Sequence, residues 1–208
     1  MINAAFQIGS DVRMFQQDRL LCINTAGGNR ITYNNPTTGH GTFAKVPQSV
    51  ANRIDGAYLI GDDVRLFHDT RLVVVDVSNG NGITFDGAIT DHGTYKQVPQ
   101  DFADNIDDVI QIGNDTRMFK GHRLVVVNTA EGNAVTYDGE IKKHGTFAKL
   151  PNDFDGDFDA VHTIGDDIRF FRGNRLVIIN YRQGNAITYD GPAREHGTYG
   201  NVPSSWLG

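Results

Sequence analysis

The chain has 208 residues, 39% of them hydrophobic and 21% charged, with a formal charge of −6. Those proportions describe an ordinary globular protein, and the acidic balance argues against a nucleic-acid partner, because phosphate binding draws on clustered Lys and Arg. No apolar run approaches the roughly 20 residues that cross a bilayer, and a single cysteine, Cys22, excludes a disulfide within the chain.

From its first residues the chain is one unit written four times. His40-Gly41-Thr42 returns at His92, His144 and His196, each step being 52 residues, and four such units account for all 208. Arg13, Arg65, Arg117 and Arg169 keep the same step, as do Pro47, Pro99, Pro151 and Pro203. The units run from about 1–52, 53–104, 105–156 and 157–208. Unbroken self-similarity at this period indicates one closed array and a single domain. Any site built from repeated residues should then occur four times.

The second unit gives the elements in order. Ala57-Tyr58-Leu59-Ile60 is a short apolar run ended by Gly61-Asp62, and Asp63–Phe67 follows before a turn at His68-Asp69-Thr70. Arg71–Asp76 is rich in β-branched residues, 78–82 is a Gly/Asn loop, and Ile83-Thr84-Phe85-Asp86 closes the set. These are four strands bounded by turn chemistry, with two-residue connections that favour antiparallel hairpins. The remainder holds Pro99 and one short helical turn at Gln100–Ala103, so the class is all-β. Val73, Val74 and Val75 in succession make a central strand apolar on both faces, and each sheet therefore needs a neighbour on either side. Four sheets around an axis form a four-bladed β-propeller. A β-solenoid is the rival, but its coils usually repeat at shorter spacing, and helical periodicity is absent. Cys22 shares a column with Val74, Val126 and Ile178, which makes it a small buried apolar residue.

The unit resembles the hemopexin-like repeat. Ile54-Asp55-Gly56-Ala57-Tyr58, with its counterparts at 2–6, 106–110 and 158–162, is similar to that family's Asp-Ala-Ala-aromatic opening. Phe119-Lys120-Gly121 and Phe171-Arg172-Gly173 match its phenylalanine and basic-Gly turn, and Pro99 and Pro151 its proline before the next repeat. The resemblance covers the whole chain and is closest to single-domain hemopexin-like albumins and microbial relatives. It implies a channel ion, often held by backbone carbonyls, and one axial site for haem or a polyamine. Two features depart from it. No disulfide can join the first and last blades, and a His-Gly-Thr-aromatic signature stands where the family has a tryptophan. Ring closure is expected to be non-covalent, with Trp206, in the column of Val50, Phe102 and Phe154, as the closing anchor.

Three constellations are candidate sites. Asn3, Asp55, Asp107 and Asp159 each open an innermost strand, so symmetry gathers them at one end of the channel. Such a ring could hold one structural cation, Ca²⁺ or Na⁺, or serve only as turn caps. The arginines at 13, 65, 117 and 169 and at 19, 71, 123 and 175 suit inter-blade bridges or the grip on a sugar hydroxyl. The third set is Asn29, Asn34, His40 and Thr42, recurring as Asn81, Asp86, His92, Thr94; as Asn133, Asp138, His144, Thr146; and as Asn185, Asp190, His196, Thr198. With the neighbouring Tyr and Phe residues it offers the donors, acceptors and ring faces that a sugar needs. The alternative is a repeated structural turn. His68, His122 and His162 lie outside the repeated column and read as surface or loop residues.

No nucleophile elbow, phosphate loop, HExxH or Cys/His zinc spacing occurs, so enzymatic chemistry is not expected. The expected function is a multivalent, lectin-like carbohydrate-binding protein with up to four peripheral sites and glycans or glycoproteins as partners. The alternative is a one-site binder of haem or a polyamine at the channel. Homodimerisation is compatible with the sequence. Without a signal-like segment at the N-terminus, a cytoplasmic or non-classically secreted location is expected.

Overall fold

A computed structural model describes residues 1–208. Blade one comprises β1 (Ala4–Ile8), β2 (Asp11–Gln16), β3 (Arg19–Asn24) and β4 (Arg30–Pro36), followed by the short helix α1 (Gln48–Ala51). Blade two repeats this as β5 (Gly56–Ile60), β6 (Asp63–His68), β7 (Arg71–Asp76), β8 (Gly82–Ala88) and α2 (Gln100–Ala103). Blade three has β9 (Asp108–Ile112), β10 (Asp115–Lys120), β11 (Arg123–Asn128) and β12 (Ala134–Glu140). Blade four has β13 (Ala160–Ile164), β14 (Asp167–Arg172), β15 (Arg175–Asn180), β16 (Ala186–Pro192) and the closing helix α3 (Ser204–Leu207).

Each blade is an antiparallel meander in sequence order, and β1, β5, β9 and β13 adjoin one another around the axis. The result is a four-bladed β-propeller, all-β as its residues demand. Two-residue turns such as Gly9-Ser10 join each inner strand to the next. The third and fourth strands of every blade share a bulge, between Val74 and Val75 in blade two, which twists the outer strand.

The core lies between blades rather than within them. Val73 and Val75 pack toward blade one, while Leu72 and Val74 pack toward blade three. This is the double-sided burial that the apolar run in β7 requires. The chain leaving each outer strand then drops Phe43, Tyr95, Phe147 or Tyr199 into the joint ahead, where all four are fully buried. Closure is non-covalent. Trp206 is buried with Ile2, Ala5 and Met14, Gln16 Nε2 donates to Ser205 O at 2.9 Å, and Asn29 Nδ2 donates to Gly197 O at 2.9 Å.

Candidate binding sites at the channel mouths and the rim

Asn3, Asp55, Asp107 and Asp159 line one cavity of about 270 Å³ at one mouth of the channel. Each side chain also braces the turn between the second and third strands of its own blade. Asn3 Oδ1 accepts from Gln17 N at 2.8 Å, Asp55 from Asp69 N at 3.2 Å, and Asp107 and Asp159 from Gly121 N and Gly173 N at 2.5 Å. Those turn residues have φ between +49° and +53°. Glycine adopts this conformation freely, whereas Gln17 and Asp69 need such help. Asp55 is further engaged by Arg53 Nε at 2.6 Å and His68 Nδ1 at 2.9 Å. Asp107 and Asp159 each keep one oxygen free, and Asp69 and Asp157 add carboxylates to the same wall. A hard cation such as Ca²⁺ or Na⁺ fits these oxygen donors.

One residue into the channel, Asp108 replaces the Ala4, Gly56 and Ala160 of the other blades. It is wholly buried, and its two oxygens accept from Val109 N at 2.7 Å and Val161 N at 2.6 Å, tying blade three to blade four. Burial pushes its carboxyl well above the usual range, against the pull of those two donors. Gly56 lies against it: an added Cβ would stand 3.2 Å from Asp108 Cα.

The other mouth is a cavity of about 310 Å³ with no charged side chain in its wall. His162 contributes to that wall, and the expectation that it is a surface residue is corrected here. It is 1% exposed, because its column otherwise holds Phe6, Tyr58 and Ile110. Tyr199 Oη accepts from Arg169 Nη1 at 3.2 Å and is hydrogen-bonded to His162 Nε2 at 2.7 Å, in a direction set by the imidazole tautomer. His162 Nδ1 has no hydrogen-bond partner. Burial, then Arg169, lowers the His162 pKa to about 3. Blade two carries the corresponding cluster of Arg65, Tyr58 and Tyr95, continued through Thr116 to Gln111. Blades one and three have Phe6 with Phe43 and Ile110 with Phe147 instead. Polar and apolar joints therefore alternate around a ring that the repeats alone make fourfold.

The His-Gly-Thr columns lie in these joints. His40 Nδ1 accepts from Thr42 N at 3.2 Å, and His92, His144 and His196 do the same for their threonines at 3.3 Å. Each ring stands edge-on to Tyr33, Phe85, Tyr137 or Tyr189 at about 5 Å. Burial, then the nearby arginine, lowers the pKa of all four, so they are neutral with the proton on Nε2. Thr42, Thr94 and Thr198 accept from Arg13, Arg65 and Arg169; Thr146 has no such bond from Arg117. Asn29, Asn81, Asn133 and Asn185 are in the left-handed region, φ +56° to +64°. Asn133 and Asn185, like Asn29, reach the glycine carbonyl of the preceding His-Gly-Thr, at Gly93 and Gly145. Joint-building thus engages most polar atoms of these columns and leaves His Nε2–H free.

Asn34, Asp86, Asp138 and Asp190 stand apart from the histidines of their own blades. Asp86 pairs across the sheet with Val73, on the face toward blade one, whereas Phe85 and His92 belong to the joint with blade three. Asp86 takes both arms of a fork from Arg71, Nε at 2.6 Å and Nη2 at 2.7 Å. Asp138 does so with Arg123 and Asp190 with Arg175. The remaining nitrogen, Nη1, holds the preceding repeat through Ser49, Asp101 or Asp153. In blade one Arg19 meets only the amide and carbonyl oxygens of Asn34. Beside the forks the rim is indented: about 410 Å³ at Arg71, Asp86 and Gly87, about 350 Å³ at Arg123 and Gly139, and about 310 Å³ at Arg175 and Gly191. The sequence showed the Arg and Asp columns as separate sets and not their pairing; the indentation depended on glycines that read only as turn residues.

No protein-family model matches the sequence, and no curated protein matches it either. Solved structures do match. A hemopexin-fold protein from cow pea superposes with a TM-score of 0.76 at 19% identity, covering 97% of this chain and 98% of that one. A plant lectin with two metal-binding sites from Cicer arietinum gives 0.77 at 17% identity, covering 98% and 99%. A Cicer arietinum albumin showing hemagglutination gives 0.77 at 16%, with the same coverage. Similarity along both full lengths, together with the number of blades and the strand order, identifies the fold: this chain is a four-bladed β-propeller of the hemopexin fold.

Proposed function

We propose that the protein is a non-enzymatic, lectin-like carbohydrate binder with several sites on the outside of the ring. The observation that carries this reading is the recurrence of an Arg–Asp fork beside an open indentation on the blade rim. A guanidinium and a carboxylate side by side can donate to and accept from neighbouring hydroxyls, as a sugar requires. The four neutral His Nε2–H groups beside aromatic rings add uncharged donors. Two proteins of this fold are described as a lectin and as an albumin showing hemagglutination, so the fold supports that kind of activity elsewhere. Weak sites on one rigid ring gain avidity against multivalent glycans. A glycan array with labelled, folded protein tests the proposal. Selective binding to one class of sugars is expected; a blank array would overturn it.

A second reading is favoured by the acidic mouth, where five aspartates face one arginine around about 270 Å³. That balance suits one cationic ligand per chain, such as spermine, and would repel the propionates of haem. Spermine titration that saturates at one per chain supports this reading; no binding at low salt removes it.

A further inference from the structure

The repeats present four forks by position but only three sites by chemistry. We infer that blades two, three and four each bind a vicinal diol of a saccharide through the Arg–Asp fork, and that blade one does not, so the valence is three. This rests on the carbohydrate reading above and deepens it.

A guanidinium has five N–H groups. In Arg71, Arg123 and Arg175, two go to the carboxylate fork and one to the preceding repeat. Two N–H groups therefore remain on each arginine. The paired carboxylate keeps lone pairs on both oxygens. Adjacent hydroxyls of a sugar ring can accept from the first and donate to the second. The forks are about two-thirds covered, with Arg71 and Asp86 side chains 38% and 30% exposed. A ligand can reach them, and their mutual attraction alone contributes little stability at such exposure.

Access depends on the next residue. Gly87, Gly139 and Gly191 border the three indentations and carry no side chain. Blade one has Asn35 at that position and Asn34 in place of the aspartate. Arg19 then faces an amide oxygen, which offers no negative acceptor, and Asn35 carries a side chain where the other blades have glycine. None of the cavities on the molecule lies at Arg19.

Blade one also shows which variants will fold. An added Cβ at Gly87, Gly139 or Gly191 would stand 3.0 to 3.2 Å from the tip of Phe85, Tyr137 or Tyr189. Tyr33 tolerates Asn35 while bonding Pro36 O, just as Tyr137 bonds Glu140 O and Tyr189 bonds Pro192 O. Gly87→Asn, Gly139→Asn and Gly191→Asn therefore copy an arrangement already present in the chain and leave the forks in place.

The test is a two-dimensional NMR titration of the full chain with the methyl glycosides of mannose, galactose and fucose. Saturable shifts are expected at the amides of Gly87, Gly139 and Gly191 and not at Asn35. Each Gly→Asn change should remove one site, and Asn34→Asp with Asn35→Gly should create a fourth. Saturable shifts at all four blades of the unmodified chain, or only at residues away from the forks, overturn the inference while leaving carbohydrate binding intact. No shift with any glycoside overturns both.

Discussion

His162 owes its burial to its column, where Phe6, Tyr58 and Ile110 mark an inward-facing position that one polar residue has entered. Its Nε2 depends on the Tyr199 hydroxyl. Tyr199→Phe alone should strand that nitrogen and cost about 1–3 kcal/mol, while His162→Phe with Tyr199→Phe, which copies Phe6 and Phe43, should be nearly neutral. Urea denaturation of the single and double variants checks this; equal losses in both would contradict the pairing. The same residue gives a pH dependence. A histidine held neutral in the fold has its pKa lowered below the unfolded value of about 6.5. Its stabilising contribution is thus complete above that pH and declines as pH falls toward the folded value. His40, His92, His144 and His196 act in the same direction, and Asp108, whose carboxyl is pushed upward, in the opposite one. The informative comparison is therefore between the wild type and His162→Phe, which share all the others. Wild-type stability should fall more between pH 7 and pH 5, as read by thermal midpoint.

At the scale of elements, the short chain segments after each outer strand hold the blades together. His92 caps the turn at Gly93–Tyr95 by accepting from Thr94 N, so His92→Ala should destabilise the ring by about 1 kcal/mol. Sugar binding at the three forks should remain, because none of the four His-Gly-Thr histidines lines an indentation. Helix α3 closes the ring through Trp206, which packs in blade one's cluster. Trp206→Ala should cost about 3–5 kcal/mol, as large aromatic truncations in cores do; a loss below 1 kcal/mol in denaturant melts would show that closure does not depend on it. Strand order and the inter-blade core were legible in the sequence because β-branched runs such as Val73-Val74-Val75 demand cover on both faces. The site was less legible. Asp86 and His92 recur together at fixed spacing, yet Asp86 on β8 faces the joint with blade one while the turns after the strand carry His92 into the joint with blade three. Spacing along one chain does not reveal that Asn133 answers to the preceding blade. Nor does it reveal that Asp108, a break in the repeat, ties two inner strands together.

For the whole molecule, fourfold repetition of sequence has produced a ring of lower chemical symmetry. Polar joints alternate with apolar ones, one mouth is acidic and the other uncharged, and blade one differs at the rim. This separation predicts that a chelator should leave rim binding unchanged, because the forks share no residue with the acidic mouth. Any effect of EDTA should appear instead in the thermal midpoint, if the mouth holds a cation. A loss of glycan binding in EDTA would contradict the assignment of binding to the rim. The number of sugars bound per chain separates a rim binder from an axial one most directly. Equilibrium dialysis of the unmodified protein, with the sugar selected on a glycan array, should saturate at three per chain; saturation at one would contradict the account and point to the channel.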